Sequence, residues 1–311
     1  MSKKLISVCV PVYNEKENVA NAYERITAVM RELPAYEYEI VFFDDGSTDD
    51  SGEIIETLCA ADRHVKAVLY SRNFGYAKTV FYCIQQAKGD AAVIVHCDLQ
   101  NPPEEIPKLV EKWEQGADVV LGVKNKSREN AFMYFLRTVG YFVMNFVFGM
   151  RMVPHATEFE LFDRSFIEIL RGIRTQNPYL RGYIVEYGKR IEKVYYTQDK
   201  RRAGKSHFNL RKLYDFAIAG VVSMSRCLPR RFILFSVFSL AALLAEFFAH
   251  FLPGAGGMEN ALFWNGLLIR FGVFVLLLLM LLASMLSEYV LAIIKNAEHK
   301  PFIIENKRIN Y

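Results

Sequence analysis

From residue 5 to residue 123, short apolar runs rich in valine, isoleucine and aromatics alternate with amphipathic stretches of helical length. Segments 6–12, 39–43, 66–70, 92–97 and 118–123 read as strands, and 17–33, 51–61, 76–88 and 104–115 as helices. Strands that are apolar on both sides need cover on both sides. The pattern therefore predicts an α/β fold, a mostly parallel sheet with helices on both faces.

The pattern changes after residue 231. Segment 232–252 has 21 residues whose only ionisable members are Glu246 and His250. As a helix it would span about 31 Å, close to the roughly 30 Å of a bilayer core. Pro253-Gly254-Ala255-Gly256-Gly257 breaks it, and 271–294 follows as 24 residues with Glu288 as the one charge. Two such runs predict a C-terminal two-helix transmembrane hairpin, against the alternative of a helical hairpin buried in a soluble core. Arg226, Arg230 and Arg231 precede it, and Lys295, Lys300, Lys307 and Arg308 follow. The positive-inside rule then puts the N-terminal domain and the C-terminus in the cytoplasm, giving a multi-pass protein. Arg270 and His250 belong near the outer interface. Glu246 and Glu288 are costly in lipid unless they face a neighbour, which leaves a homo-oligomer as an open reading.

Ahead of the hairpin, Leu210, Leu213, Tyr214, Ala217, Ile218, Val221, Met224 and Leu228 keep helical spacing. They predict an amphipathic helix at the membrane surface, with packing on the soluble domain as the alternative. Segment 132–148 reads as a second surface-seeking helix. The expected organisation is a catalytic domain over 1–207, a juxtamembrane helix over 208–231, the hairpin over 232–294 and a cytosolic tail over 295–311.

The chain has 311 residues, 52% hydrophobic and 23% charged, which excludes disorder. Its net charge of +4 is mild, and the basic residues gather beside the apolar segment. That argues for a membrane lipid surface and against nucleic acid. The five cysteines form no CxxC pair and read as reduced core thiols on a cytosolic face. No leader is visible before the first strand, so membrane insertion is expected from the C-terminal end.

Polar residues cluster at successive strand ends: Pro11-Val12-Tyr13-Asn14-Glu15, Asp44-Asp45-Gly46-Ser47-Thr48-Asp49, Ser71-Arg72-Asn73-Phe74-Gly75, and His96-Cys97-Asp98-Leu99-Gln100-Asn101-Pro102-Pro103. Each alone is ordinary turn and cap chemistry. Four in a row, where open sheets bind ligands, point to a site. Neither GxGxxG nor GxxxxGK[ST] occurs, which disfavours a dehydrogenase or P-loop NTPase. Carboxylates and amides in this arrangement suit a nucleotide diphosphate and a hard cation, with Lys126, Arg128, Lys200, Arg201, Arg202 and Lys205 as candidate phosphate clamps.

Together, PVYNE, DDGSTD, SRNFG, DLQNPPEE and RRAGKSHFNLRKL resemble the family 2 glycosyltransferases over roughly residues 5–215. The nearest branch is the membrane-anchored polyprenyl-phosphate type, which includes bactoprenol glucosyltransferase and dolichyl-phosphate mannose synthase. The resemblance implies a Rossmann-like GT-A fold, a nucleotide-sugar donor (UDP favoured over GDP), Mg or Mn, and inversion at the sugar carbon. It implies a polyprenyl (undecaprenyl) phosphate acceptor at the bacterial inner membrane, serving cell-envelope glycan modification. By the same likeness Pro11, Tyr13 and Glu15 line the nucleotide, Asp44 and Asp45 approach base or ribose, and Ser71 and Asn73 join them. Asp98 and Gln100 match the metal-binding stretch, Arg128 and Arg201 the basic positions near the phosphates, and Glu158 the acceptor-facing carboxylate.

This sequence departs from the pattern at His96, where the family has the first aspartate of Asp-x-Asp. His96 is either a third metal ligand or a residue closing its strand. Glu158 stands for an aspartate, and Lys205 and His207 for Glu and Lys. A hydroxyl acceptor, with Glu158 as general base, and a catalytically weak donor-binding subunit are the alternatives.

Overall fold

The computed structural model describes residues 3–126, 138–142, 145–146, 149, 153–154, 156–198, 237–241, 244–245, 248, 261–297 and 301–311. The order is β1 (Lys4–Val12), α1 (Val19–Arg31), β2 (Tyr36–Asp44), α2 (Ser51–Ala61), β3 (Val65–Tyr70), α3 (Tyr76–Gln86) and β4 (Ala91–Ile94). A 3-10 turn (Pro103–Glu105) leads into α4 (Ile106–Glu114). Then come β5 (Val119–Lys126), β6 (Ala156–Asp163), α5 (Arg164–Gly172), α6 (Leu180–Tyr187), β7 (Ile191–Thr197), α7 (Ala261–Ala297) and β8 (Glu305–Ile309).

The strands form one eight-stranded sheet in the order β7-β5-β6-β4-β1-β2-β3-β8. Pairings β1–β2, β1–β4, β2–β3 and β5–β7 are parallel. Those of β6 with β4 and β5, and of β8 with β3, are antiparallel. β1 shows why both faces must be covered. Ile6, Val8 and Val10 pack on one side against Ile26, Met30, Ile55 and Leu109. Cys9 points the other way, to Val41, Val80, Phe81 and Ile84. Alternate side chains of an extended strand face opposite sides, and both sides here are sealed by helices. Cys9, Cys59, Cys83 and Cys97 are buried thiols outside any disulfide, as small hydrophobes should be, while Cys227 lies outside the described residues.

Three elements differ from the pattern-based expectation. β4 stops at Ile94; the Val95 N–H still donates to Cys9 O (3.0 Å), but the chain then leaves the sheet. The last apolar helix starts at Ala261, and its 24-residue span is Leu268–Leu291 (mean hydropathy 2.5), because Arg270 is itself a good helix former and does not interrupt the apolar run on either side of it. Residues 305–309, inside the expected tail, form edge strand β8 on β3. Lys307 there pairs with Glu56 (2.8 Å), and Asn310 Nδ2 donates to Cys59 O (2.7 Å) and Val65 O (2.9 Å). The juxtamembrane helix 208–231 lies outside the described residues. Of 232–252, only 237–241, 244–245 and 248 are described, and these are helical.

Candidate active site

β1 lies between β2 and β4, so the connections diverge there and a crevice opens beyond the carboxyl ends of β1 and β4. Pro11, Tyr13, Asn14 and Glu15 sit at that end, all half-buried. Asn14 is held at φ 54, a left-handed conformation that asparagine tolerates. Its N–H donates to Ser47 Oγ (2.9 Å), and its Oδ1 accepts from the Thr48 N–H (2.8 Å). The first two loops are thereby stitched together.

Asp44 accepts from both the N–H and the hydroxyl of Ser47. Asp45 accepts the N–H groups of Phe74 (2.7 Å) and Gly75 (3.0 Å). The two are only 5% and 3% exposed. Burial raises Asp44 above the usual carboxylate range and pushes Asp45 up to about 6, against the pull of those backbone bonds. Both aspartates are thus committed to loop geometry. Between them and the third loop, Gly46 adopts φ 67, and a Cβ there would lie 2.4 Å from the carbonyl carbon of Arg72. Ser71 and Asn73 are exposed on that third loop, and the Ser71 N–H donates to Ile304 O (2.9 Å) in the C-terminal segment.

The fourth loop alternates. Val95, Cys97 and Leu99 are buried; His96, Asp98 and Gln100 are half-buried on the opposite side. Leu99 has φ 55, unusual for a branched side chain, and the turn it makes brings the Gln100 N–H to Asp98 Oδ1 (3.2 Å). Asn101 is buried beneath, hydrogen-bonded to the Tyr196 hydroxyl, which also meets Thr157 Oγ1 (2.8 Å). The loop is therefore anchored to β6 and β7.

Among the described residues, no three His, Cys, Asp or Glu side chains converge as a metal cage. Among the described residues, Asp98 accepts one hydrogen bond, from the Gln100 N–H to Oδ1, and none at its second carboxylate oxygen. His96 Nε2 is taken by the Tyr76 hydroxyl at 3.1 Å. These donors fit a hard cation that arrives with its diphosphate, held by Asp98 and the Gln100 amide and completed by phosphate oxygens and water. They do not fit an all-protein site.

β6 runs antiparallel to β4, with Val93 opposite Leu161, so Glu158 lies beside the point where the chain departs toward His96. Arg181 on α6 approaches Glu158 Oε1 at 3.5 Å. Burial, together with the charge of the Glu158 carboxylate, holds the Tyr76 phenol well above its ordinary pKa. Glu160, two residues on, is 1% exposed, and burial pushes it up to about 8.

Glu158, Asp98, Gln100 and His96 are thus brought to one end of the sheet, next to Pro11, Tyr13 and Glu15. Arg128 and Arg201 lie outside the described residues. Tyr76, Arg181 and Glu160 were not singled out by motif. Glu160 alone carried a signal, since i, i+2 spacing in Thr-Glu-Phe-Glu puts it on the Glu158 side of a strand. A larger cleft of about 400 Å³, lined by Gln85, Gln86, Lys88, Arg171, Arg308 and Tyr311, lies at the opposite end of α3. Its arginines are paired with Glu168 and Glu305, and none of the strand-end loop residues lines it.

The family model described as Glycosyl transferase family 2 matches residues 7–182. A bactoprenol glucosyl transferase of Shigella phage SfV is 35% identical over 71% of this chain and 72% of its own. An undecaprenyl-phosphate 4-deoxy-4-formamido-L-arabinose transferase of Pseudomonas fluorescens is 30% identical over 76% of this chain and 70% of its own. Glucosyl-3-phosphoglycerate synthase from Mycobacterium tuberculosis, solved with Mn2+, uridine-diphosphate and phosphoglyceric acid, superposes with a TM-score of 0.50 at 20% identity. It covers 71% of this chain and 78% of that one, a likeness of fold.

Proposed function

The chain belongs to glycosyl transferase family 2, and from that premise we propose that it moves a sugar from a UDP-sugar to polyprenyl phosphate at the cytoplasmic leaflet of a bacterial inner membrane, inverting the sugar carbon. The observation that carries this reading is the union, in one chain, of a strand-end cleft bearing Asp98 and Glu158 with a 24-residue apolar span, none of it buried. Leu268, Ile269, Met280 and Leu286 are each exposed by 60% or more. Water does not tolerate so continuous an apolar surface, and lipid does.

Topology favours the hairpin. β7 and β8 belong to one sheet, so the chain from 198 to 304 leaves and returns on the same side of any membrane it enters. An even number of crossings follows, and α7 needs a partner span, for which 232–252 is the candidate. Lys307 and Arg308 are strand residues paired with Glu56 and Glu305, which leaves Lys295, in the last turn of α7, and Lys300 as the basic residues that follow the apolar span.

In the transfer, a phosphate oxygen of the acceptor attacks the anomeric carbon from the face opposite the nucleotide. The bond to the diphosphate breaks, and its electron pair leaves with the nucleoside diphosphate. Asp98 and Gln100 would hold a divalent cation, which when bound offsets charge on the departing diphosphate. The acceptor is already anionic at neutral pH, so no strong base is required. Glu158, held by Arg181, suits orientation of the acceptor better than proton removal.

The test uses full-length protein in nanodiscs with undecaprenyl phosphate and Mn2+, offered a panel of UDP- and GDP-sugars. A sugar-phosphate-lipid detected by mass spectrometry supports the reading, and Asp98→Ala should abolish it. Intact nucleotide-sugar binding with no lipid product from any donor would overturn it.

A further inference from the structure

Glu160 is the buried carboxyl that the transfer scheme leaves unused. It projects from β6 on the same side as Glu158, and the charge of Arg181 on α6 acts on both, with direct contact to Glu158. Arg181 Nη2 reaches Glu158 Oε1 at 3.5 Å, while Arg181 Nε and Glu160 Oε2 are sealed from solvent with no hydrogen-bond partner among the described residues. Both side chains line a cavity of about 20 Å³ closed by Leu121, Val153, Ala156 and Ile184. That is room for one water, which two orphaned polar atoms could share.

We propose that Glu160 is a positioning residue of the transfer site, acting through Arg181 to fix the carboxylate of Glu158. Two carboxylates and one guanidinium in an apolar setting cannot cheaply carry a net negative charge, so one carboxyl keeps its proton. Glu160 is the more buried, and its pKa is pushed up to about 8. Neutral at pH 7, it braces the guanidinium and leaves the positive charge to Glu158. Ionised at higher pH, it competes for that charge. The groups that face it are Glu158 on its own strand, Arg181 from α6, Tyr76 from α3 and Tyr196 from β7. The tyrosines stay protonated well above that range, because burial raises both.

This inference rests on the acceptor-facing role of Glu158, so its test carries one readout free of turnover. In full-length protein in nanodiscs, the parent should lose rate as pH rises through about 8, and Glu160→Gln should keep kcat within about twofold at pH 7 and lose that alkaline fall. Glu160→Leu should lower kcat at least about tenfold, with the donor KM within about twofold. Independently, the carboxyl 13C resonance of Glu158, assigned by its loss in Glu158→Gln, should move in Glu160→Leu and stay in place in Glu160→Gln. An unmoved resonance in Glu160→Leu, or parent-like turnover in that variant, overturns the proposal. So does Glu160→Gln failing as badly as Glu160→Leu. If the parent protein turns over no donor, the proposed transfer falls, and the Glu158 resonance still decides the role of Glu160.

Discussion

The hydroxyl of Tyr76 lies 3.1 Å from Nε2 of His96, and their rings stack with centroids 5.6 Å apart. The residue that breaks the Asp-x-Asp pattern is therefore built into a side-chain contact. The Glu158 carboxylate also acts on this phenol, so Tyr76 stands between the loop that carries Asp98 and the strand that carries Glu158. A half-buried polar contact of this kind fixes relative position more than it adds net stability.

Tyr76→Phe keeps the stacked ring and deletes the hydroxyl that meets His96. Steady-state kinetics should show kcat falling about tenfold or more with the donor KM nearly unchanged, the signature of a lost transition-state alignment. A rise in donor KM at constant kcat would instead assign Tyr76 to nucleotide binding.

Gly46 makes a second prediction. At φ 67 any side chain is strained, and a Cβ would stand 2.4 Å from backbone of the next loop, which cannot rotate away as a side chain can. Gly46→Ala should cost about 2–4 kcal/mol, read as a lower midpoint in urea, and should weaken nucleotide-sugar binding by calorimetry. Unchanged stability would mean that the second and third loops slide past each other freely.

Much of this architecture was legible from period alone, because a strand covered on both faces leaves an unbroken apolar run. β1, β2 and β3 and the helices between them fall where that signal is strong, and α2 matches at both ends. The signal fails where chemistry interrupts it. Residues 95–97 look like strand, but His96 turns into the cleft. β6 carries Glu158 and Glu160 in mid-strand, so its polar residues mask its extended character. β8 reads Glu-Asn-Lys-Arg-Ile, with one apolar residue, and is held by backbone pairing and surface ions that leave no periodic trace. In the site, the loops were legible because turn residues announce themselves. The Arg181 contact joins residues far apart in the chain, and no local pattern encodes it.

β8 supports a third prediction. It covers the outer edge of β3, where Ala67, Val68 and Leu69 pair with Ile309, Arg308 and Lys307. A chain ending at residue 304 uncovers that apolar edge, which then invites strand pairing between molecules. It should elute as oligomers in detergent and show faster hydrogen exchange at residues 67–70. Lys307→Ala should do neither, because its pair with Glu56 is about half-exposed on both sides and contributes ~0–1 kcal/mol. If truncation leaves exchange at β3 unchanged, β8 is not part of the cooperative sheet.

The fourth prediction concerns pH and stability. Asp45 is raised from 3.8 to about 6, and Glu160 from 4.5 to about 8, each by burial. A carboxyl with a higher pKa in the folded state binds its proton more tightly there than in the unfolded chain. The folded state then holds more protons, and stability falls as pH rises through the window between the two values. For Asp45 the window is pH 4 to 6, and for Glu160 it extends to about pH 8. Above pH 6 the loss belongs to Glu160. Thermal unfolding followed by circular dichroism at pH 5, 6, 7 and 8 should therefore show a declining Tm for the parent protein. In Glu160→Gln, which has no proton to lose, the decline between pH 6 and 8 should vanish, while that below pH 6 remains. At pH 8 the variant should unfold some degrees above the parent, at about 2–4 °C for each kcal/mol regained. Parallel Tm curves for the two proteins would mean that Glu160 is already ionised beside Arg181 at neutral pH, and that the guanidinium is shared equally between two charged carboxylates.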